Sequence, residues 1–180
     1  DHRDVSEVDL GSVDVVMASA GFAPHSDAIV ACQRAGLAIW SEMEFAWRVR
    51  TTDAPWVLVT GTNGKTTTTQ MTGAILQAGG VAAKVCGNMG IPVITAAREG
   101  HEALAVEIAS LQLHFTSSIV PAAAVCLNAD YDHLDWHDSV ESYRADKARV
   151  YEHALFACVY PAHDRVVEAM TPEVPVRVSS

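Results

Sequence analysis

The residues best suited to chemistry lie in the glycine-rich stretch TGTNGKTTTT, residues 60–69. It follows an apolar segment and opens a helical pattern, and helix N-termini present free N–H groups to anions. Gly61 and Gly64 would let the backbone approach a phosphate group. Lys65 would then contact the terminal phosphates of a nucleotide, and the Thr66 hydroxyl would bind Mg²⁺. The stretch therefore predicts a phosphate-binding loop.

This loop is shorter than the strict pattern G-x-x-x-x-G-K-[ST], because Val59 stands where that pattern has its first glycine. The alternative is a glycine-rich turn between a strand and a helix, with a lysine that only faces solvent. The agreement of strand, loop, Lys-Thr pair and helix favours nucleotide binding.

A carboxylate interrupts the apolar segment LAVEIAS at Glu107. The strand predicted there is buried on both faces, and a buried carboxylate without a partner is costly, so it requires a cation. Mg²⁺ is the cation to expect beside a nucleotide, because it prefers hard oxygen ligands. A structural ion pair is the alternative.

The polar stretch LNADYDHLDWHDS, residues 127–139, follows another apolar segment. Its sharpest candidates are Asp132 and His133. A histidine at a strand end is more often a hydrogen-bonded structural residue than a metal ligand, and this holds more strongly for His137. On its own, the stretch leaves both interpretations of these histidines open.

Tyr143 and Lys147 are four residues apart and so share one face of a predicted helix. On composition alone, Lys147 is an ordinary solvated lysine with Asp146 and Arg149 as neighbours. The pattern by itself therefore favours no functional role for this lysine.

Short apolar runs alternate with helical patterns, which is typical of βαβ units. The predicted fold class is α/β, with a mostly parallel sheet flanked by helices. The predicted strands are VDVVMAS, LAIW, WVLVT, AAKVC, LAVEI, AAVCLN, FACVY and VPVRVS. The predicted helices are residues 27–35, 42–49, 65–78, 139–153 and 165–170. We expect Asp138 and Glu141 to form a capping box at the start of the helix from Ser139.

Several polar features lie at the carboxyl ends of predicted strands, namely Gly61, Asn88, Glu107 and residues 128–133. In open α/β sheets, ligands bind at that edge. We therefore expect these features to form one site.

The polar segment RTTDAP, residues 50–55, interrupts the alternation, and we predict a boundary there between units 1–52 and 53–180. The first unit holds only two predicted strands and two helices, too few for an independent core, so we expect the chain to begin inside a domain. The second unit stops after a strand, and we expect it to be incomplete at its C-terminal end.

Bulk properties limit the function classes. The formal charge of −10, with 12 scattered Lys and Arg residues, argues against a nucleic-acid surface. The 4 cysteines show no C-x-x-C spacing and are expected to be reduced in a cytoplasmic protein. The longest apolar run is too short to span a bilayer, and the first residues lack signal-peptide character. We expect neither membrane insertion nor secretion.

With these motifs the chain resembles the Mur ligase superfamily, which uses such a shortened loop. The resemblance rests on GTNGKT at 61–66, GNMGIP at 87–92, EIASLQL at 107–113 and DHLD at 132–135, followed by Tyr143 and Lys147. Asn88 and Gln112 resemble the branch that adds D-glutamate, since branches that add meso-diaminopimelate or lysine usually have threonine and histidine there. The resemblance covers nearly the whole chain.

The resemblance implies an ATP-dependent ligase that joins D-glutamate to UDP-N-acetylmuramoyl-L-alanine in peptidoglycan precursor synthesis. The substrate carboxylate would attack the γ-phosphate of ATP, and the amine would displace phosphate from the resulting acyl phosphate. The implied cofactors are ATP and Mg²⁺ at two sites. The implied protein is a cytoplasmic monomer that binds neither nucleic acid nor membranes.

The resemblance also implies residue roles. Catalysis would use Lys65, Glu107, His133 and Lys147, the last as a carbamate formed with CO₂. Mg²⁺ would bind Thr66, Glu107, His133 and the modified Lys147, and ATP would bind Gly61, Thr62, Asn63, Gly64, Lys65, Thr66 and Thr67. Substrate would contact Ser19, Ala20, Gly21, Asn88, Ser110, Gln112 and Tyr143. Because carbamylation needs a neutral amine, we expect the site to lower the pKa of Lys147.

By the same resemblance, Asp132 would orient His133 and Tyr143 would orient Lys147. Residues 1–52 would end a UDP-substrate-binding Rossmann-like domain, and residues 53–180 would form most of the central ATP-binding domain. We expect this polypeptide alone to be inactive as a ligase, because it would lack the uridine-binding strands, the adenine contacts and the C-terminal domain. Ala20, Ala109, Leu111 and Tyr131 depart from the family's usual residues.

Three alternatives stay open. The first is a folylpolyglutamate synthetase-like ligase of the same superfamily, against which Asn88 and the Gln112 segment argue. The second is a P-loop ATPase or switch, which should end an apolar strand with a metal-binding aspartate, whereas this chain has Asn128. The third is a polypeptide that binds nucleotide without catalysis.

Overall fold

The computed structural model describes residues 4–130, 132–172 and, as backbone only, 177–179. Its first part contains a parallel pair of strands. The elements are β1 (Val15–Met17), α1 (Asp27–Arg34), β2 (Ala38–Trp40) and α2 (Glu42–Arg48), preceded by 3-10 turns at Val5–Glu7 and Leu10–Ser12. The predicted two strands and two helices are confirmed.

Six parallel strands form the second sheet in the order β4-β5-β3-β6-β7-β8. They are β3 (Trp56–Thr60), β4 (Ala83–Gly87), β5 (Ala103–Glu107), β6 (Ala123–Cys126), β7 (Ala157–Tyr160) and β8 (Arg177–Ser179). The helices are α3 (Lys65–Ala78), α4 (Val93–Ala96), α5 (Ser110–His114), α6 (Leu134–His137), α7 (Val140–Ala148) and α8 (Arg165–Met170). The predicted α/β fold is confirmed.

The sequence patterns did not predict α4, α5 and α6, because helices of 4 or 5 residues are too short to show a 3.6-residue period. The helix predicted for 139–153 ends at Ala148 and continues as a 3-10 turn, Arg149–Tyr151. Its predicted capping box is wrong, because Ser139 is the N-cap and its hydroxyl accepts from the N–H of Ser142. Part of the predicted last strand, residues 174–176, lies outside the described residues.

The core lies around β3 and β5. Every residue of β5 is buried, as expected for a parallel strand covered on both faces. Gly73 lets α3 pack directly on β4, since a β-carbon there would overlap the side chain of Val85. All 4 cysteines are free, as predicted, and all are buried. Among the described residues, no helix is long and apolar enough to cross a membrane.

Helix α2 packs against the six-stranded sheet and its helices. Met43 and Ala46 belong to the hydrophobic core that includes Trp56 and Leu58. The buried carboxylate of Glu44 accepts from the N–H groups of Ser117 and Ser118, each at 2.9 Å. The Ser41 hydroxyl, just before α2, lies 2.7 Å from the hydroxyl of Thr116. Polar and apolar contacts thus join α2 to the second sheet's unit.

Candidate functional site

The carboxyl ends of four adjacent parallel strands form one edge of the sheet. β4, β5, β3 and β6 end there at Gly87, Glu107, Thr60 and Cys126. The features predicted to converge therefore do share this edge, which we call the nucleotide edge.

The phosphate-binding loop owes its shape to two glycines. Gly64 caps α3 with φ 84°, a left-handed conformation that suits glycine. A β-carbon at Gly61 would come within 3.0 Å of the Leu127 side chain. The backbone N–H of Asn63 donates to Oδ1 of Asn128 at 2.8 Å, and Nδ2 of Asn128 donates back to the Asn63 carbonyl at 3.1 Å. Asn128 therefore fixes the loop from the neighbouring strand end.

The Lys65 ammonium lies over this loop. Its Nζ donates to the carbonyls of Gly61 and Thr62, at 2.9 and 3.0 Å. Thr66 and Thr67 are exposed in the first turn of α3. The cation and the free N–H groups of a 14-residue helix thus face the same region, an arrangement that suits an anionic ligand.

Glu107 is buried at the end of β5, with 3% of its surface exposed. Its Oε1 accepts from Nδ2 of Asn88 at 3.3 Å. Together with Thr66 and Gln70 it lines a cavity of about 290 Å³. A carboxylate and a hydroxyl facing one cavity are hard oxygen donors, so these residues fit Mg²⁺.

Lys147 is 2% exposed, so it is not the solvated lysine that composition alone suggested. Its pKa is lowered to about 8, chiefly by burial and to a smaller extent by the nearby Lys65 cation. Its Nζ lies 4.8 Å from the centre of the Tyr143 ring, whose hydroxyl is 2.7 Å from the Thr62 hydroxyl. The expected lowering of this pKa is confirmed, and Tyr143 links Lys147 to the phosphate-binding loop.

His133 and Asp132 lie after β6, with His133 Nε2 3.4 Å from Asp132 Oδ2. The His133 side chain is half exposed. Among the described residues, neither His133 nor Lys147 has a hydrogen bond or ion pair with Glu107. Across all the residues that the structure describes, no group of three or more His, Cys, Asp or Glu side chains is placed to hold a metal ion. The predicted metal set that includes Thr66 and Lys147 stays a prediction.

The other predicted substrate contacts stay predictions too. Gln112 has a local partner, since its Oε1 accepts from the N–H of Ala109 at 3.0 Å and so caps α5. Ser19 and Gly21 are exposed in the segment after β1. The atypical Tyr131 lies outside the described residues.

One largely buried group of side chains was not predicted as a group, and we call it the histidine cluster: Ser110, His114, His137 and Asp146. His137 Nδ1 lies 3.0 Å from Asp146 Oδ2, and its Nε2 lies 3.0 Å from Ser110 Oγ. His114 Nδ1 lies 2.8 Å from Asp146 Oδ2. Burial alone would raise the pKa of Asp146, but the hydrogen bonds from both imidazoles outweigh it and lower that pKa.

Local sequence patterns contain little sign of this cluster. Ser110 is a predicted substrate contact, His137 a weak candidate for a metal ligand, and Asp146 a charged neighbour of Lys147. His114 is 32 residues from Asp146, and no local pattern connects the two.

Comparison with known proteins supports the resemblance. A family model of the Mur ligase middle domain matches residues 59–179. A UDP-N-acetylmuramoylalanine–D-glutamate ligase from Leifsonia xyli subsp. xyli is 41% identical over 179 residues, covering 91% of this chain and 35% of that protein. One of the same name from Nocardia farcinica is 45% identical over 153 residues, covering 81% and 32%. This chain spans about a third of the length of these relatives.

Solved structures share the fold. A UDP-N-acetylmuramoyl-L-alanyl-D-glutamate–2,6-diaminopimelate ligase superposes with a TM-score of 0.62 at 19% identity, covering 96% of this chain and 47% of that one. A MurF ligase from Thermotoga maritima in complex with ADP gives a TM-score of 0.58 at 21% identity, covering 95% and 48%. With the family model matching most of the sequence, the chain belongs to the Mur ligase family.

Proposed function

We propose that this chain is part of an ATP-dependent ligase that joins D-glutamate to UDP-N-acetylmuramoyl-L-alanine. One observation carries the proposal: the phosphate-binding loop and the buried Glu107 follow neighbouring strand ends, and Tyr143 links the buried Lys147 to that loop. Two relatives, 41% and 45% identical, bear the name of that ligase. The proposed setting is peptidoglycan precursor synthesis in the cytoplasm, by a monomer.

In the proposed reaction, the substrate carboxylate attacks the γ-phosphate of ATP, giving an acyl phosphate and ADP. The amine of D-glutamate then attacks the acyl carbon, loses a proton, and displaces phosphate. In both steps, negative charge increases on the oxygen atoms of the reacting groups. Lys65 would turn from the loop carbonyls toward the phosphates and stabilise that charge, with help from the N–H groups at the start of α3.

Thr66 and Glu107 would hold Mg²⁺ in the cavity that they share, and His133 would supply a further ligand. Bound Mg²⁺ would neutralise developing charge on phosphate oxygens. Asn88 would orient Glu107 and contact the UDP-substrate. Asp132 lies near enough to His133 to orient its ring.

Lys147 would act as a carbamate. Its neutral amine would attack CO₂, forming an N–C bond and losing a proton, so that a cation becomes an anion suited to Mg²⁺. The burial of Lys147 favours the neutral amine that this step needs. Tyr143 would orient the group, since its ring lies against the amine.

We assign residues 1–52 to the end of a Rossmann-like domain that binds the UDP-substrate, and residues 53–180 to the central ATP-binding domain. The parallel β1–β2 pair suits the first assignment, and the family match from residue 59 suits the second. Ser19, Ala20 and Gly21 would then lie against the substrate diphosphate.

Calorimetric titration of this chain with Mg²⁺ and a non-hydrolysable ATP analogue tests the nucleotide site. The wild type should bind, and Lys65→Ala should weaken binding by about a hundredfold or more, because it removes a charged contact to phosphate. Lys84→Ala is the matched control, since Lys84 is a partly exposed lysine of β4 away from the loop.

Equal binding by the wild type and Lys65→Ala would overturn the assignment of the loop. A wild type that binds no nucleotide would contradict the proposed ATP site in this chain. Titration of the nucleotide complex with UDP-N-acetylmuramoyl-L-alanine then tests the proposed substrate.

A further inference from the structure

We propose that the histidine cluster is a positioning device for the nucleotide edge. In it, Asp146 sets the tautomer of His137, His137 orients the hydroxyl of Ser110, and the three together hold α7 against the start of α5. The inference deepens the proposed function, because α7 carries Tyr143 and Lys147.

The tautomer follows from the partners. An ionised carboxylate can only accept hydrogen bonds, so the Nδ1 atoms of His114 and His137 must both carry protons toward Asp146. In a neutral His137 ring, Nε2 is then an acceptor, and the Ser110 hydroxyl donates to it across 3.0 Å. The His137 side chain is fully buried, so water does not compete for either nitrogen.

The cluster connects elements that lie far apart in the sequence. Ser110 opens α5, three residues after Glu107, whereas Asp146 precedes Lys147 in α7. The ring of His137 also packs edge-on against Tyr143, at 5.2 Å between ring centres. Tyr143 in turn contacts Thr62. Two side-chain contacts, His137 with Tyr143 and Tyr143 with Thr62, therefore connect the cluster to the phosphate-binding loop.

The tautomer is tested directly in the unsubstituted chain. Nitrogen-15 imidazole NMR should show His137 protonated at Nδ1 and unprotonated at Nε2. A ring protonated only at Nε2, or at both nitrogens, would overturn the inference. This measurement needs neither nucleotide nor a variant, so it stays valid if a substituted chain fails to fold.

The positioning role is tested with Asp146→Asn. In Ser-His-Asp sites this change keeps the geometry but reverses the histidine tautomer. We expect the amide resonances of residues 61–65 to shift, although Asp146 has no hydrogen bond with them, and affinity for the Mg²⁺–ATP analogue to fall about tenfold.

Two controls separate positioning from general destabilisation. Glu141→Gln makes the same chemical change at an exposed position of α7. Glu44→Gln removes the charge of another buried carboxylate, whose partners are Ser117, Ser118 and Arg48 and not a residue of the cluster. Neither should move the loop resonances. If Asp146→Asn leaves those resonances unchanged, or moves them no more than Glu44→Gln does, the positioning role is overturned. Because the resonances are read without nucleotide, this outcome is distinct from failure of the proposed ATP site.

Discussion

Two neighbouring halves of the candidate site, the nucleotide edge and the helices beside it, are built by different means. At the ends of β3, β4 and β5, which we call the strand half, backbone geometry places Gly61, Gly87 and Glu107 directly. Beside it, helices α5, α6 and α7 form the helix half, where buried side-chain hydrogen bonds place the chemistry. Parallel pairing and glycine geometry set most of the strand half, whereas side-chain hydrogen bonds of the histidine cluster join the helices of the helix half.

This difference predicts how a substitution should destabilise each half. A glycine in the strand half fails through steric overlap, because no side chain fits its backbone. A polar residue in the helix half fails through a lost or misdirected hydrogen bond, which costs less unless a charge is left buried.

The largest effect should come from the strand half, with Gly87→Ala. Gly87 has φ 120°, and a β-carbon there would overlap the backbone of Glu107 on the adjacent strand. We expect a loss of about 3–5 kcal/mol in the free energy of unfolding, measured with urea. Gly90→Ala is the control, because Gly90 has φ 80° but open space around it, and it should lose about 1–2 kcal/mol. Equal losses would mean that steric overlap is not what restricts this strand end.

In the helix half, CO₂ should modify Lys147 in a pH-dependent way. With its pKa lowered to about 8, the amine is mostly protonated at pH 7, and the neutral fraction falls about tenfold for each further pH unit below that pKa. At constant dissolved CO₂, the initial rate of carbamate formation, followed by carbon-13 NMR, depends on the neutral amine and should therefore rise steeply up to about pH 8 and level off above it.

Lys147→Met should remove this carbamate signal. If the initial rate instead kept rising to about pH 10, the amine would be titrating like an ordinary exposed lysine, and burial would not control its reactivity.

A smaller effect is expected where the two halves meet. Tyr143→Phe removes the 2.7 Å contact with Thr62 but keeps the ring against Lys147. We expect a loss of about 1 kcal/mol in the free energy of unfolding. Thr62→Val should cost a similar amount, and the double variant should cost less than the sum, because both remove one hydrogen bond. Strict additivity would show that the hydroxyl pair does not couple the halves.

The smallest effect should be a gain. The N–H of Ala109 already donates to Gln112, but alanine has no side-chain oxygen to accept from the first turn of α5. Ala109→Ser should complete this capping box and add about 0.5–1 kcal/mol to the free energy of unfolding. Ala145→Ser, at an exposed position inside α7, should instead lower it slightly, because serine is a poorer helix former. A gain at Ala145 equal to that at Ala109 would exclude capping as the cause.

The sequence predicted the strand half well because its signals are local. A strand, a glycine and a helix start follow one another within residues 56–66, so one short stretch specifies one geometry. Glu107 was found because a charge inside an apolar strand is unusual by itself. The helix half was harder, since α5 and α6 are shorter than the pattern that reveals a helix.

Burial in the helix half depends on contacts across distant segments. Composition around Lys147 favoured a solvated side chain, yet the fold buries it. His114 carries no local sign of its partner, because Asp146 is 32 residues away. The resemblance identified Lys147 as a residue of interest, but only the three-dimensional packing gives the physical reason.

Glu44 and Ser41 have a mechanical consequence. They join α2 to residues 116–118. If the β1–β2 pair rotated relative to the six-stranded sheet, α2 would therefore stay with that sheet. The pivot would then fall between Trp40 and Ser41, before the proposed boundary at residue 52, because α2 packs on the second unit although its sequence lies in the first. The Arg48 guanidinium lies 4.4 Å from the centre of the Trp40 ring, so this stacked contact spans the pivot and would have to slide as the angle changed.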